Sequence, residues 1–136
     1  NIAQKTQIMV EHFHHFTRHK IGGKAKAMVV TGSRLEAVRY KQSFDKYIKE
    51  KGYDIKSLVA FSGIVNDDKI PEKTYTEEEM NQGIREKELA EKFAGDDYQV
   101  LLVAEKYQTG FDQPYSIPCM LTSGWRVLKQ YKPCLA

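Results

Sequence analysis

The chain has 136 residues, 41% of them hydrophobic, and 21 Lys and Arg against 18 Asp and Glu give a net charge of +3. A chain of this length forms one domain or part of a larger protein and can bury a substantial core. The charge excess is too small to indicate nucleic-acid binding by itself, and no apolar run is long enough to span a membrane.

The first predicted element is an amphipathic helix from Ile2 to about His19, which the segment Ile21-Gly22-Gly23 ends. Apolar residues recur along it at helical spacing: Ile8, Met9, Phe13 and Phe16. His12, His15 and His19 are spaced to share a face. Because we find no acidic or cysteine ligand at usable spacing, we expect a polar helix face there and no metal site.

A short apolar strand, Ala27–Thr31, is followed by the tight turn Thr31-Gly32-Ser33. Ser33 and Glu36 have the spacing of a capping box, which predicts a helix that begins at this turn and ends before Gly52. The apolar side of this helix carries Leu35, Val38, Phe44 and Ile48.

The rest of the chain predicts another strand, a loop, two helices and a third strand. In chain order these are Ser57–Phe61, the polar loop Asn66–Lys73, a short helix with a break near Gly83, the helix Glu86–Phe93 stopped by Gly95, and Val100–Ala104. The short helix begins at Thr76, which has the capping-box spacing to Glu79. Strands that alternate with helices imply parallel pairing through right-handed crossovers. We therefore expect an α/β fold with a mainly parallel sheet.

The loop after the third strand is the strongest candidate site. It reads Q-T-G-F-D-Q-P from Gln108 to Pro114 and follows the carboxyl end of a strand, where open α/β sheets bind ligands. Gly110 would let the backbone approach a ligand closely, and Asp112 offers a carboxylate beside it. The chain contains neither G-x-x-x-x-G-K-[ST] nor G-x-G-x-x-G, so a nucleotide site here would be half of a two-part site.

Three segments, in order, together resemble one family. They are K-A-M-V-V-T-G-S-R-L-E-A-V-R-Y (Lys26–Tyr40), L-V-A-F-S-G with Y-T-E-E-E-M-N (Leu58–Gly63 and Tyr75–Asn81), and F-A-G-D-D-Y-Q-V-L-L-V-A-E-K-Y-Q-T-G-F-D-Q-P (Phe93–Pro114). They resemble the second RecA-like motor domain of the R subunit of type I restriction–modification enzymes, which are superfamily 2 DNA translocases. The first segment is similar to helicase motif IV and the last to motif V.

The resemblance implies a three-layer, RecA-like helicase C-terminal domain that is truncated here. Residues 1–22 would be a leading helix, 23–114 part of the motor domain and 115–136 a divergent tail. The parent subunit would hydrolyse ATP with Mg²⁺ to pull double-stranded DNA, without sequence preference, and then cut it. Its partners would be the specificity and methylation subunits. The first motor domain, which this sequence does not include, would hold most of the ATP and Mg²⁺.

Site residues carry over from the family in two groups. Gly110 and Asp112 would lie at the nucleotide cleft, and the DNA backbone would be contacted by Thr31, Gly32, Ser33, Arg34, Gln108 and Thr109. A helix N-terminus with a hydroxyl group suits a phosphate. Plainer interpretations stay open: Ser33 as a helix cap, Arg34 as a solvated charge and Asp112 as a turn cap. Glu105 departs from the family, where a smaller polar residue is usual, and a carboxylate there would repel phosphates.

The tail after Pro114 also departs from the family, whose next motif directs an arginine to the ATP phosphates. Codons permitted for this tail, read two nucleotides later, can spell L-H-T-M-H-V-D-K-R-M-A-G-V-K-A-V-Q-T-L-S-R, which resembles the family's continuation. We therefore expect a reading-frame change at Gln113–Tyr115, with a genuinely divergent tail as the alternative. The chain begins at Asn1 without a methionine, so we expect an excised fragment. Because it would lack both that arginine and the first motor domain, we expect it to have no catalytic residues and to be inactive alone.

Two other functions stay open. The chain could be motor domain 2 of another superfamily 2 DNA helicase, or a noncatalytic α/β interaction module from a decayed gene. A nuclease domain upstream would favour the R subunit, and a gene neighbourhood without specificity and methylation subunits would favour the module. Cys119 and Cys134 form no metal-type pattern, and with no signal peptide we expect a cytoplasmic protein.

Overall fold

The computed structural model describes residues 1–19 and 25–104 and the backbone of 125–128. The helices are α1 (Ile2–His15), α2 (Arg34–Lys51), α3 (Glu77–Met80) and α4 (Glu86–Ala94), with a 3-10 turn at Thr17–His19. The strands are β1 (Lys26–Thr31), β2 (Ser57–Ala60), β3 (Ile64–Asn66), β4 (Thr74–Thr76), β5 (Val100–Ala104) and β6 (Trp125–Leu128). None of the helices in the described ranges has the length and apolar character needed to cross a bilayer.

The main sheet has the strand order β2-β5-β1-β6. β5 is its central parallel strand, because Leu101 opposes Met28 of β1 on one side and Leu58 of β2 on the other. β6 lies in the tail, where we predicted no element, and runs antiparallel to β1. The predicted α/β fold with a mainly parallel sheet is confirmed.

Helices cover both faces of this sheet, which makes three layers. Side chains alternate along a strand, so neighbouring residues of β5 enter different cores. Leu102 packs in the cluster that contains Phe13 of α1 and Phe44 of α2. Leu101 packs on the opposite face with Phe93 of α4. Burial on both faces explains why β5 reads as an unbroken apolar run.

The predicted helix caps of α2 and α3 are confirmed. The Ser33 hydroxyl accepts a hydrogen bond from the Glu36 backbone N–H at 3.1 Å, and α2 ends at Gly52, whose φ of 69° is left-handed. Thr76 caps α3 in the same way, accepting from the Glu79 N–H at 3.3 Å. These local signals therefore set where both helices begin.

The buried face of α1 differs from our prediction. Ile8 and Phe16, which we assigned to it, are 70% and 62% exposed. The buried residues follow an i, i+3, i+4, i+7 stripe instead: Thr6, Met9, Val10 and Phe13. The helix also ends at His15, and the predicted continuation to His19 is a 3-10 turn. Ile8 and Phe16 lie off the stripe that meets α2.

Within the described residues, side chains cover the outer edge of β2, and no other strand does. The Lys41 ammonium donates to the Ser57 carbonyl at 2.9 Å. The Asn81 amide accepts from the Val59 N–H at 2.9 Å and donates to the Val59 carbonyl at 2.8 Å. The Glu77 carboxylate accepts from the N–H that follows β2, at Phe61, at 3.0 Å. These contacts satisfy backbone groups that an edge strand would otherwise leave open.

Candidate functional site

The carboxyl ends of the three parallel strands meet at one edge of the sheet. Ala104, the last described residue of β5, pairs with Thr31 of β1, and Val103 pairs with Ala60 of β2. The end of the central strand therefore lies between the ends of β1 and β2. The predicted positions Glu105, Gln108, Thr109, Gly110 and Asp112 lie outside the described residues.

Thr31 stabilises this edge through buried hydrogen bonds. It is 2% exposed, and its hydroxyl oxygen lies 3.0 Å from the carbonyl oxygens of both Ser33 and Val103. The single hydroxyl hydrogen is shared between these two acceptors and ties the turn to the central strand. The Thr31 side chain is thus engaged inside the protein and does not face solvent.

Gly32 and Ser33 are exposed, but Glu36 occupies their hydrogen-bonding groups. The Gly32 N–H donates to the Glu36 carboxylate at 2.9 Å, while Ser33 caps the helix through the Glu36 N–H. The capping interpretation of Ser33 is therefore confirmed. A phosphate bound at the Gly32 N–H would have to displace the carboxylate of Glu36, which carries the same sign of charge.

Arg34 joins the turn after β1 to the turn after β2. Its exposed guanidinium donates to the Ser62 carbonyl at 2.7 Å. Gly63 has a left-handed φ of 74°, a conformation that favours glycine, and a Cβ there would lie 3.0 Å from Arg34 Nη1. A guanidinium has five N–H donors, and this contact uses one. Within the described part of the chain, Arg34 is the one predicted DNA contact whose side chain is a positioned cation.

Arg39 is not a free charge, because it braces the β3–β4 hairpin. Its guanidinium pairs with Asp68 at 2.5 Å and with Asp67 at 3.2 Å. A hydrogen bond from the Tyr75 hydroxyl, followed by backbone N–H groups, holds the pKa of Asp67 well below its usual range. The predicted loop Asn66–Lys73 is therefore the tip of an ordered hairpin, which we missed because each strand has only three residues.

Glu77 is a buried acid beside this edge that we did not predict from the sequence. Burial is the main cause that raises its pKa to about 7; the Glu86 carboxylate adds to the rise, and the hydrogen bond from the Phe61 N–H opposes it. Glu77 begins a run of three glutamates, and only its burial distinguishes it from exposed Glu78 and Glu79. No local sequence signal marks it.

The histidines of α1 take part in contacts within the protein. His14 stacks on Tyr53, and His15 lies 3.0 Å from the Glu11 carboxylate. Our premise that no acidic residue accompanies these histidines was therefore wrong, since Glu11 is four residues before His15. Among residues 1–19 and 25–104, no group of three His, Cys, Asp or Glu side chains lies together as metal ligands would.

A cavity of about 310 Å³ lies away from this edge, at the amino end of β2. Its buried Lys41 bonds to Asp45 at 3.0 Å and to the Ser57 carbonyl and hydroxyl at 2.9 and 3.1 Å. Because these three acceptors use all the hydrogens of the ammonium group, Lys41 is committed to the fold.

Comparisons with protein-family models, with curated proteins and with solved structures found no match to this chain.

Proposed function

We propose that this chain is the second, RecA-like motor half of the ATP-dependent DNA translocase subunit of a type I restriction enzyme. The strand order supports this proposal most directly. The strand that precedes T-G-F-D-Q-P lies in the centre of the sheet, directly beside the strand that precedes T-G-S-R. The strands that precede the two segments resembling motifs V and IV are therefore neighbours that end at the same edge of the sheet.

In this proposal the turn after β1 contacts the phosphate backbone of duplex DNA. Arg34 supplies the positive charge, and its bond to Ser62 fixes where that charge lies. Gln108 and Thr109 would contact the same backbone, while Gly110 and Asp112 would face the nucleotide. Contacts of this kind hold DNA without reading its sequence, as a translocase requires.

ATP and Mg²⁺ belong, in this proposal, mainly to the first motor domain. The sequence has no phosphate-binding glycine loop, so in this proposal this half would supply one wall of the nucleotide site. ATP hydrolysis between the two halves would supply the driving force for translocation. The purified chain should neither hydrolyse ATP nor cut DNA; ATPase activity that Asp112→Ala abolishes would contradict this.

Fluorescence anisotropy with labelled duplexes of unrelated sequence tests the DNA contact. Binding should be weak, equal for all sequences and steeply lost with added salt. Arg34→Ala should weaken it uniformly and lower the magnitude of the salt slope by about 1. Lys46→Ala is the matched control, since this exposed residue lies on the same helix about 18 Å away at 1.5 Å per residue. Equal effects of the two substitutions, or no salt-dependent binding, would refute the DNA contact.

The coding DNA on both sides distinguishes the R subunit from other helicases. A nuclease domain upstream, and a single shift at the codons for Gln113–Tyr115 that restores the family's continuation, are the expected findings. Without a nuclease domain upstream, the proposal reduces to a motor domain of another superfamily 2 protein.

A further inference from the structure

A polar cluster joins the end of α1 to the end of α2, and we name it the α1 clasp. Its members are Glu11, His14, Arg18, Tyr47, Tyr53 and Asp54. The Glu11 carboxylate accepts hydrogen bonds from the Tyr47 hydroxyl at 2.5 Å and from the Tyr53 hydroxyl, which lies 2.9 Å from each carboxylate oxygen. Two tyrosines from one side of the interface thus converge on one acid from the other.

His14 is held on two sides. Its ring stacks on Tyr53 with 3.8 Å between centroids and 7° between planes. Its Nδ1 lies 3.1 Å from Arg18 Nη1, which also contacts the Asp54 carboxylate at 2.8 Å. A guanidinium can only donate hydrogen bonds, so Nδ1 must accept. This arrangement therefore requires a neutral His14 with its proton on Nε2.

Protonation of His14 would break this arrangement. A proton on Nδ1 would face the Arg18 guanidinium, which turns a hydrogen bond into a contact between two cations. The charged and titratable groups around the ring and around Glu11 are Arg18, His15, Lys51, Glu50, Asp54, Tyr47 and Tyr53. Burial, then Arg18 and His15, lower the pKa of His14, and the two acids Glu11 and Asp54 only partly oppose them.

A fall in pH acts on Glu11 as it does on His14, because it favours a proton that the folded arrangement disfavours. The Tyr47 hydrogen bond is the largest cause that lowers the pKa of Glu11. Because both groups bind protons less readily in the folded state, their contribution to stability is present above their ordinary pKa values, 6.5 and 4.5. It is lost as the pH falls through the lowered values, with His14 responding first.

The clasp lies beside the apolar contact that docks α1. Val10 and Phe13 of α1 are 1% and 0% exposed and pack in the same core as Phe44 of α2. We propose that the α1 clasp is a proton-operated switch, which keeps α1 docked on α2 at neutral pH and loosens it in mildly acidic solution. Loosening of α1 would uncover the apolar surface that it shares with α2. This inference does not depend on the proposed function.

Hydrogen exchange of the whole chain tests the switch. After correction for the intrinsic pH dependence of exchange, protection of the α1 amides should fall several-fold more than that of α4 between about pH 7.5 and pH 5. α4 is a matched reference because it contains no histidine. Equal loss of protection in both helices would contradict the switch.

The His14→Phe variant tests whether a proton on His14 operates the switch. Phenylalanine can keep the stack on Tyr53 but cannot take up a proton, so the difference between α1 and α4 should no longer depend on pH. His12→Gln, in the same helix turn, should keep the wild-type dependence. If His14→Phe does not fold, NMR titration of the wild-type histidines decides: the His14 midpoint should coincide with the loss of α1 protection. A His14→Phe variant that keeps the wild-type pH dependence of α1 protection, or a His14 titration that leaves α1 protection unchanged, would overturn the proposal.

Discussion

Glu77 shows how burial changes the chemistry of one side chain. Its folded-state pKa of about 7 lies above the ordinary value of 4.5, so the folded protein binds this proton more tightly than the unfolded chain does. The contribution of Glu77 to stability is therefore complete below pH 4.5 and is lost as the pH rises through 7. Above that pH, the fold carries a buried negative charge beside the end of β2.

Glu77→Gln should remove the free-energy cost of this buried negative charge. The amide oxygen can still accept from the Phe61 N–H, and it does not titrate. In chemical denaturation, the unfolding free energy of the variant relative to that of wild type should rise by roughly 1 to 3 kcal/mol from pH 5 to pH 8. Glu78→Gln, the exposed neighbour, should show no such pH-dependent gain. A gain of the same size in both variants would mean that the burial of Glu77 is not its cause.

At the scale of elements, α3 completes the main sheet without adding a strand to it. Only four residues long, it cannot be a stable helix on its own, so its role lies in where it holds Glu77 and Asn81. Together with Lys41 of α2, these side chains bond the outward-facing backbone groups of β2. An edge that is saturated in this way does not recruit a strand from another molecule.

Asn81→Ala should open this edge. It leaves the Val59 N–H and carbonyl without their partners, which should cost about 2 kcal/mol or more in unfolding free energy. It should also produce concentration-dependent association in size-exclusion chromatography. Glu78→Ala, on the helix that Asn81 follows, is the control and should change neither quantity. A monomeric Asn81→Ala variant of unchanged stability would show that the amide does not protect the edge.

At the scale of the whole molecule, β5 supports two cores at once. Leu101 and Leu102 are both fully buried but face opposite layers. Each substitution to alanine should lower the unfolding free energy by roughly 2 to 5 kcal/mol. Ile8→Ala, at an exposed position, should change it by less than about 0.5 kcal/mol. If only one leucine mattered, one of the two helix layers would contribute little to the fold.

Local signals predicted much of this molecule. Periodicity and caps located α2, α4 and the three parallel strands to within a residue or two, because those signals lie within each element. The order of the strands depends on contacts between distant residues, and periodicity carries no information about them. The Ser33 cap could be read from its spacing to Glu36, whereas the Arg34–Ser62 bond joins residues 28 positions apart. The raised pKa of Glu77 and the hydrogen bonds of the α1 clasp likewise depend on burial and on partners that are distant in the sequence.

The central position of β5 also determines when the chain can fold. β1 and β2 flank β5, and β5 is the last of the three to be synthesised. Until residues 100–104 are made, the two earlier strands have no parallel neighbour and their apolar side chains lack the surface between them. Such unpaired strands are prone to aggregate, and non-local parallel pairing is slow. A nascent chain that stalls before β5 should therefore need a chaperone that shields apolar strands, whereas a chain that includes β5 can pair its three parallel strands.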